Sequence, residues 1–234
     1  MSLAEHPTSR NFKQNASAAL QNETLQRAMG YLGFTQKRAE TVARLPEFEA
    51  LRDQARDIKD HVLAHLDFYL EAYEAKVEAS GGELHWCRTP EDARQVILSL
   101  CRSVNAKTVT RGKTMIGEEI ALNPFLEANG IQPVETDLGE YIIQLRDEPP
   151  SHIIAPAIHV TKEQVAETFL EKHAVYGKTR LLTEPREMLE EARGILRDKF
   201  LKADVGITGA NFLIAETGSS IIVTNEGNGD LTQL

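Results

Sequence analysis

The chain has 234 residues, 41% of them hydrophobic and 26% charged, enough apolar material for one good-sized domain or a domain with a helical extension. Its net charge of −9 excludes nucleic-acid binding through a general basic surface, while leaving room for a local anion site. No apolar run approaches the ~20 residues of a membrane span, and the opening stretch Met1–Leu20 lacks the apolar centre of a secretory signal, so a cytoplasmic location is expected.

The first third predicts helices. Asn15 to Met29 is a helical candidate with Asn15 as N-cap, and Pro46 opens a new segment. Leu51, Ala55, Ile58, Val62, Leu66, Tyr69, Tyr73 and Val77 recur at steps of three and four, which predicts one long helix with a single apolar stripe. His61 and His65 stand one turn apart on it, but without a glutamate after the first histidine or a third ligand they read as a solvated pair. Ser80-Gly81-Gly82 ends the helix.

Strand–helix alternation follows. Glu83 to Cys87 predicts a short strand, and Thr89-Pro90 caps and opens a helix whose core face is Ala93, Val96, Ile97, Leu100 and Val104. Thr108 to Thr110 is a strand, a helix runs from about Thr114 to Gly130, and Ile131 to Val134 is the next strand. Asp137 and Glu140 have capping-box spacing, Glu148-Pro149-Pro150 breaks their helix, and His152 to Ala155 predicts another strand. Thr161 and Gln164 form a second capping box. Thr183 and Pro185 start a helix that presents Met188, Leu189, Ala192, Ile195, Leu196 and Phe200 on one face. Ala210–Ala215 and Ser220–Thr224 predict a β-hairpin around Glu216-Thr217-Gly218-Ser219. This alternation implies an α/β fold, a parallel sheet flanked by helices, with an N-terminal helical extension over 1–80 and the α/β domain over 81–234.

Chemistry-bearing residues cluster after the predicted strands, where open α/β sheets bind ligands. Gly112-Lys113-Thr114 lacks the upstream glycine of a P-loop, since Lys107 occupies that position, but Lys113 is placed to contact an anion at a helix start. Glu135, Asp137 and Glu140 repel one another, so they form either a binding or catalytic cluster or a helix cap with its box partner; Glu135 is the one that capping leaves unexplained. Glu216, Thr217, Gly218 and Ser219 form either a simple polar turn or an oxyanion cradle with a glutamate nucleophile or base. The second polar turn, Asn225 to Gly229, carries the same two readings. His152 and His159 are either structural or acid/base groups. Cys87 and Cys101 match no metal-ligand spacing and read as reduced thiols, so no metal is expected on this chain.

Five ordered stretches together resemble one family: Arg111–Ile120, Val134–Leu145, Pro150–His159, Gly206–Gly218 and Val223–Asn228. The set resembles the lactate-utilisation (LUD) domain of bacterial iron–sulfur proteins of the lactate-utilisation B type, from about residue 45 onward. The resemblance implies a sugar isomerase/CoA-transferase-like sheet with an antiparallel edge portion. It also implies a part in oxidising L-lactate to pyruvate together with sister subunits. Family members continue into a cysteine-rich segment that carries 4Fe–4S clusters. That segment is absent here, so the chain is expected to be a fragment truncated at its C-terminal end, inactive alone, with its clusters in the parent protein beyond residue 234. By analogy with the wider superfamily, Glu216 and Glu135 are the catalytic candidates. Lys113, Asp137, Glu140, Thr217, Gly218, Ser219 and Asn225 are the candidates for holding a small organic acid or phosphate-like anion. The alternative is a sugar-phosphate isomerase or CoA-transferase-like enzyme with a glutamate base.

Overall fold

The computed structural model describes residues 8–31, 33–152 and 154–233. The expectation for the first seven residues, and the middle of the expected strand at 152–155, lie outside these. In chain order the elements are α1 (Phe12–Gln21), α2 (Glu23–Tyr31), α3 (Phe34–Ala43), α4 (Phe48–Ala64), α5 (Leu66–Ala79), α6 (Pro90–Ser103), β1 (Thr108–Gly112), α7 (Ile116–Glu119), α8 (Leu122–Ala128) and β2 (Gln132–Glu135). There follow α9 (Leu138–Arg146), α10 (Lys162–Lys172), α11 (Pro185–Lys202), β3 (Val205–Thr208), β4 (Phe212–Ile214), β5 (Ser219–Ile221) and α12 (Asn228–Gln233). By internal packing the chain forms two units. One holds the described residues up to 26, with 87–210 and 222–233, and the other holds 27–86 and 211–221.

The first unit is an α/β layer structure. Its sheet is parallel in the order β2-β1-β3, with Arg111 opposite Glu135 on one side and Ile207 on the other. Alternate residues of a strand face opposite sides, so the sheet serves two cores. Val109, Val205 and Ile207 pack with Leu98 and Cys101 of α6 and Leu122 and Leu126 of α8. Val134 packs with Tyr141 and Ile142 of α9, Phe169 of α10, and Met188, Ala192 and Leu196 of α11. At the start of the sheet, Asp204 Oδ2 accepts the backbone N–H groups of Lys107 at 2.7 Å and Thr108 at 3.0 Å, tying β3 to β1. Gly206 lies so close to the Thr232 carbonyl of α12 that an added Cβ would overlap it; backbone cannot yield there, so the position admits only glycine.

A buried polar chain joins α9, α10 and α11. His173 Nε2 bonds the Tyr141 hydroxyl at 2.8 Å and Nδ1 bonds Glu191 Oε1 at 2.7 Å, while Arg180 Nε donates to Glu191 Oε2 at 2.7 Å. Burial opposes ionisation of Glu191, but the bonds from Arg180 and His173 outweigh it and hold the carboxyl below its ordinary range.

The second unit contains α3, α4, α5 and the antiparallel hairpin β4–β5, and none of those three helices fully buries a residue. At the hairpin turn Gly218 adopts φ 73°, and an added Cβ would lie 2.7 Å from the backbone of Lys76 and Val77, so a bare turn is needed to rest on α5.

Several expectations are corrected. Asn15 lies inside α1, and helix 15–29 is two helices divided at Asn22. The long helix breaks at His65, whose φ −130° and ψ 37° are not helical; the stripe is half-buried at Val62, Tyr69, Tyr73 and Val77, but Leu51, Ile58 and Leu66 are exposed. His61 meets the Tyr69 hydroxyl at 3.1 Å. Residues 83–87 pair with no strand, and His152 and Ile154 form bends, where the Ile154 and Ala155 N–H groups donate to His152 Nδ1 instead of to a ladder partner. Thr89 does cap α6, in a box with Asp92, but the buried positions are Leu98 and Cys101, whereas Leu100 and Val104 face water. In α11 the cap is Glu184 rather than Thr183, and Leu189 is exposed. Strand β3 and helix α12 were not expected: β3 is short and half-polar, and α12 begins inside the second polar turn, at Asn228.

Leu126 is fully buried between α6 and the sheet, and Leu100 is 45% exposed. Leu126→Ala is expected to cost about 2–5 kcal/mol in urea unfolding and Leu100→Ala under about 0.5 kcal/mol.

Candidate functional site at the strand ends

The carboxyl ends of β1 and β2 bring charged side chains together. Arg111, 1% exposed, is held between two carboxylates: its Nε donates to Glu135 Oε1 at 2.8 Å, and its Nη2 pairs with both Glu135 and Glu118. Asn123 of α8 adds a donor to Glu135 Oε1 at 2.7 Å. Gly117 passes over the guanidinium so closely that a Cβ there would overlap Arg111 Nη1. Three buried atoms of this group have no hydrogen-bond partner among the described residues: Arg111 Nη1, Glu135 Oε2 and Asn123 Oδ1.

Two residues further along each chain segment lies a second ion cluster. Lys113, in a left-handed conformation at φ 56°, reaches Asp137 Oδ2 at 2.7 Å and Glu226 Oε2 at 3.7 Å. Asp137 also caps α9 through the Gly139 N–H at 3.1 Å; Glu140 does not complete the expected box. Beneath this cluster, Asn228 Nδ2 donates to the Thr136 carbonyl and to Glu226 Oε2, and Thr136 Oγ1 bonds the Arg111 carbonyl at 2.9 Å and meets Thr232 Oγ1 at 3.3 Å.

A cavity of about 160 Å³ opens beside Glu135, lined also by Glu118, Asn123, Glu140, Gln144 and Glu148. Burial together with the charges of Glu135 and Asp137 pushes the Glu140 carboxyl up to about 8, so it carries a proton near neutrality and stands ready to give or take one. Burial also raises Glu135, against the pull of Arg111. Lys113 and Asp137 are each penalised by burial, but their mutual bond outweighs it and both stay charged.

The expected residues thus divide. Glu135, Asp137, Glu140 and Lys113 meet at the strand ends, while Asn225 is exposed in the loop before α12. Glu216, Thr217, Gly218 and Ser219 belong to the hairpin of the other unit, where Ile214 O accepts the N–H of Thr217 and Gly218. Sequence reasoning missed Arg111, Glu118, Asn123 and Glu226. The usable signal was Arg111 itself: a cation two places after Val109 shares that residue's inward face and demands a buried acid. As an anion contact, Lys113 is already neutralised, so an incoming anion has to displace Asp137.

These features define an α/β protein with an acid-rich pocket at its strand ends. The chain belongs to the LUD domain family, whose model matches residues 70–234. It is similar to Lactate utilization protein B of Bacillus subtilis, 44% identical over 223 residues that cover 94% of this chain and 46% of that protein. The protein of the same name from Exiguobacterium is 46% identical over 82% of this chain and 40% of its own length. That from Geobacillus kaustophilus is 42% identical over 94% and 44%. The chain therefore spans about half the length of these relatives. No solved structure matches it.

Two outcomes test the electrostatics. Arg111→Met strands Glu135 in the interior and is expected to cost about 3–5 kcal/mol in urea unfolding, most of it recovered by adding Glu135→Leu. Because the folded Glu140 carboxyl titrates above its unfolded value, the folded state binds the extra proton between about pH 4.5 and 8, and stability falls as pH rises through that window. Glu140→Gln removes this slope and is expected to gain on the order of 1–3 kcal/mol on the wild type between pH 5 and pH 8.

Proposed function

We propose that this chain is the LUD portion of an iron–sulfur subunit in a cytoplasmic complex that oxidises L-lactate to pyruvate and so allows growth on lactate. The observation that supports this reading is the 44% identity to Lactate utilization protein B over 94% of the chain. Its partners in this reading are sister subunits, and residues 1–80 extend the α/β domain of 81–234. No described helix is long and apolar enough to cross a membrane.

The residues present do not fit an iron–sulfur cluster. Such a cluster takes four thiolates, and this chain has Cys87, exposed, and Cys101, buried in the core against α8. Among the described residues no group of three or more histidine, cysteine or acidic side chains is arranged to hold a metal ion. In this reading the clusters belong elsewhere in the longer protein, and no electron-transfer step is assigned to these residues.

A second reading, an isomerase or transferase-like enzyme with a glutamate base, draws on Glu140, whose carboxyl titrates near neutrality at the cavity. Glu216 is exposed and makes a weaker candidate.

The test is L-lactate-dependent dye reduction in extracts of cells lacking the full-length gene. Loss of activity, restored by the gene, is the expected result. Undiminished activity in a strain without another lactate dehydrogenase overturns the lactate reading and favours the second.

A further inference from the structure

Beyond the lactate reading, the loop after α9 carries a constellation at the rim of the cavity, to which that reading gives no chemical role. Ser151 Oγ lies 2.6 Å from His159 Nδ1, and His159 Nε2 lies 3.0 Å from Glu148 Oε2. Glu148 is anchored in turn: Arg146 Nη2 donates to its other oxygen at 2.7 Å, and Arg146 Nη1 is fixed on Thr168 Oγ1 at 3.1 Å. This is a linear chain of serine, imidazole, carboxylate and guanidinium. We propose that Ser151, His159 and Glu148 form a nucleophilic centre that transfers an acyl group from a small activated ester through an acyl-serine.

The proton assignment follows from the partners. The Arg146 bond, partly opposed by burial and aided by His159, holds the Glu148 carboxyl below its ordinary range, so it only accepts. In the tautomer that gives the Nε2 proton to Glu148, Nδ1 is an acceptor facing the serine. Ser151 Oγ has a second acceptor in range, the Pro156 carbonyl at 3.2 Å, but the imidazole contact is the shorter. The serine is thus presented with a base already oriented by a third group, the arrangement that activates a hydroxyl. The nitrogens are used in the opposite sense to the familiar serine hydrolase, which the roles tolerate.

The surroundings are those of a reactive group rather than a packing bond. Ser151 is exposed, and Pro149, Pro150 and Pro156 restrict the backbone that carries it. Glu148, Pro149 and Pro150 also line the 160 Å³ cavity, which gives a small acyl group a place to rest. In the first step the Oγ–acyl bond forms and the ester C–O bond breaks. The serine proton passes to His159 and from it to the departing alkoxide. In the second step water attacks the acyl-serine, its proton returns through His159 to Ser151, and the acid is released. No oxidant or other co-reactant is consumed.

The experiment treats the purified chain with a fluorophosphonate, which forms an Oγ–P bond and expels fluoride, and maps the adduct by peptide mass spectrometry. A single rapid adduct on Ser151 is expected, absent from Ser151→Ala and slowed at least tenfold in His159→Ala and Glu148→Gln whose circular dichroism is unchanged. Ser151→Cys supplies a measurement that does not depend on those variants folding. With His159 beside it, the new thiol is expected to react with iodoacetamide at least tenfold faster than the exposed Cys87. Labelling of Ser151 no faster than of other exposed serines, or a thiol there no faster than Cys87, overturns the proposal.

Discussion

Everything at the strand ends is arranged around one buried cation. Arg111 sits at the end of the central strand with almost no access to water, and such a charge persists only when opposite charge and hydrogen bonds replace its hydration. Glu135 comes from the neighbouring strand, Glu118 from α7, and Asn123 from α8 adds a donor to Glu135 Oε1. Gly117 is bare because the guanidinium takes the room a side chain would occupy. Since Arg111 and Glu135 are also register partners, the ion pair and the strand pairing enforce each other. A slip of one residue between the two strands would leave the two charges on opposite faces of the sheet.

That concentration of acid has a further effect on its neighbours. Glu135 and Asp137 are each balanced by one cation, and Glu140 has none assigned to it, so the cheapest state for Glu140 is neutral. The pocket is therefore less negative than its count of carboxylates suggests. It offers a proton donor at neutral pH next to buried acceptors.

The fold was legible where side-chain chemistry is local. Thr89 with Asp92 and Thr161 with Gln164 cap helices as their spacing requires, and the hairpin around Gly218 forms where the turn residues place it. It was less legible where tertiary pairing decides. Strand β3 is four residues with a glycine inside, and it is a strand only because β1 offers it an edge. The α6 stripe holds at Ala93 and Ile97, but its later part turns to Leu98 and Cys101 rather than Leu100 and Val104. At the site, Lys113, Glu135, Asp137 and Glu140 could be found from their places after strands. Arg111 was not singled out, and Glu118 reaches it, and Asn123 reaches Glu135, only through tertiary packing of α7 and α8 on the sheet.

The bond from Asp204 to the start of β1 joins groups 97 residues apart. At about 5–20 residues per second, a ribosome needs on the order of 5–20 s to deliver the second partner after the first. During that interval β1 and β2 can pair and enclose Arg111, but the far edge of β1 stands open. A nascent chain therefore passes through a half-built sheet with an unpaired edge, the kind of surface that holding chaperones shield.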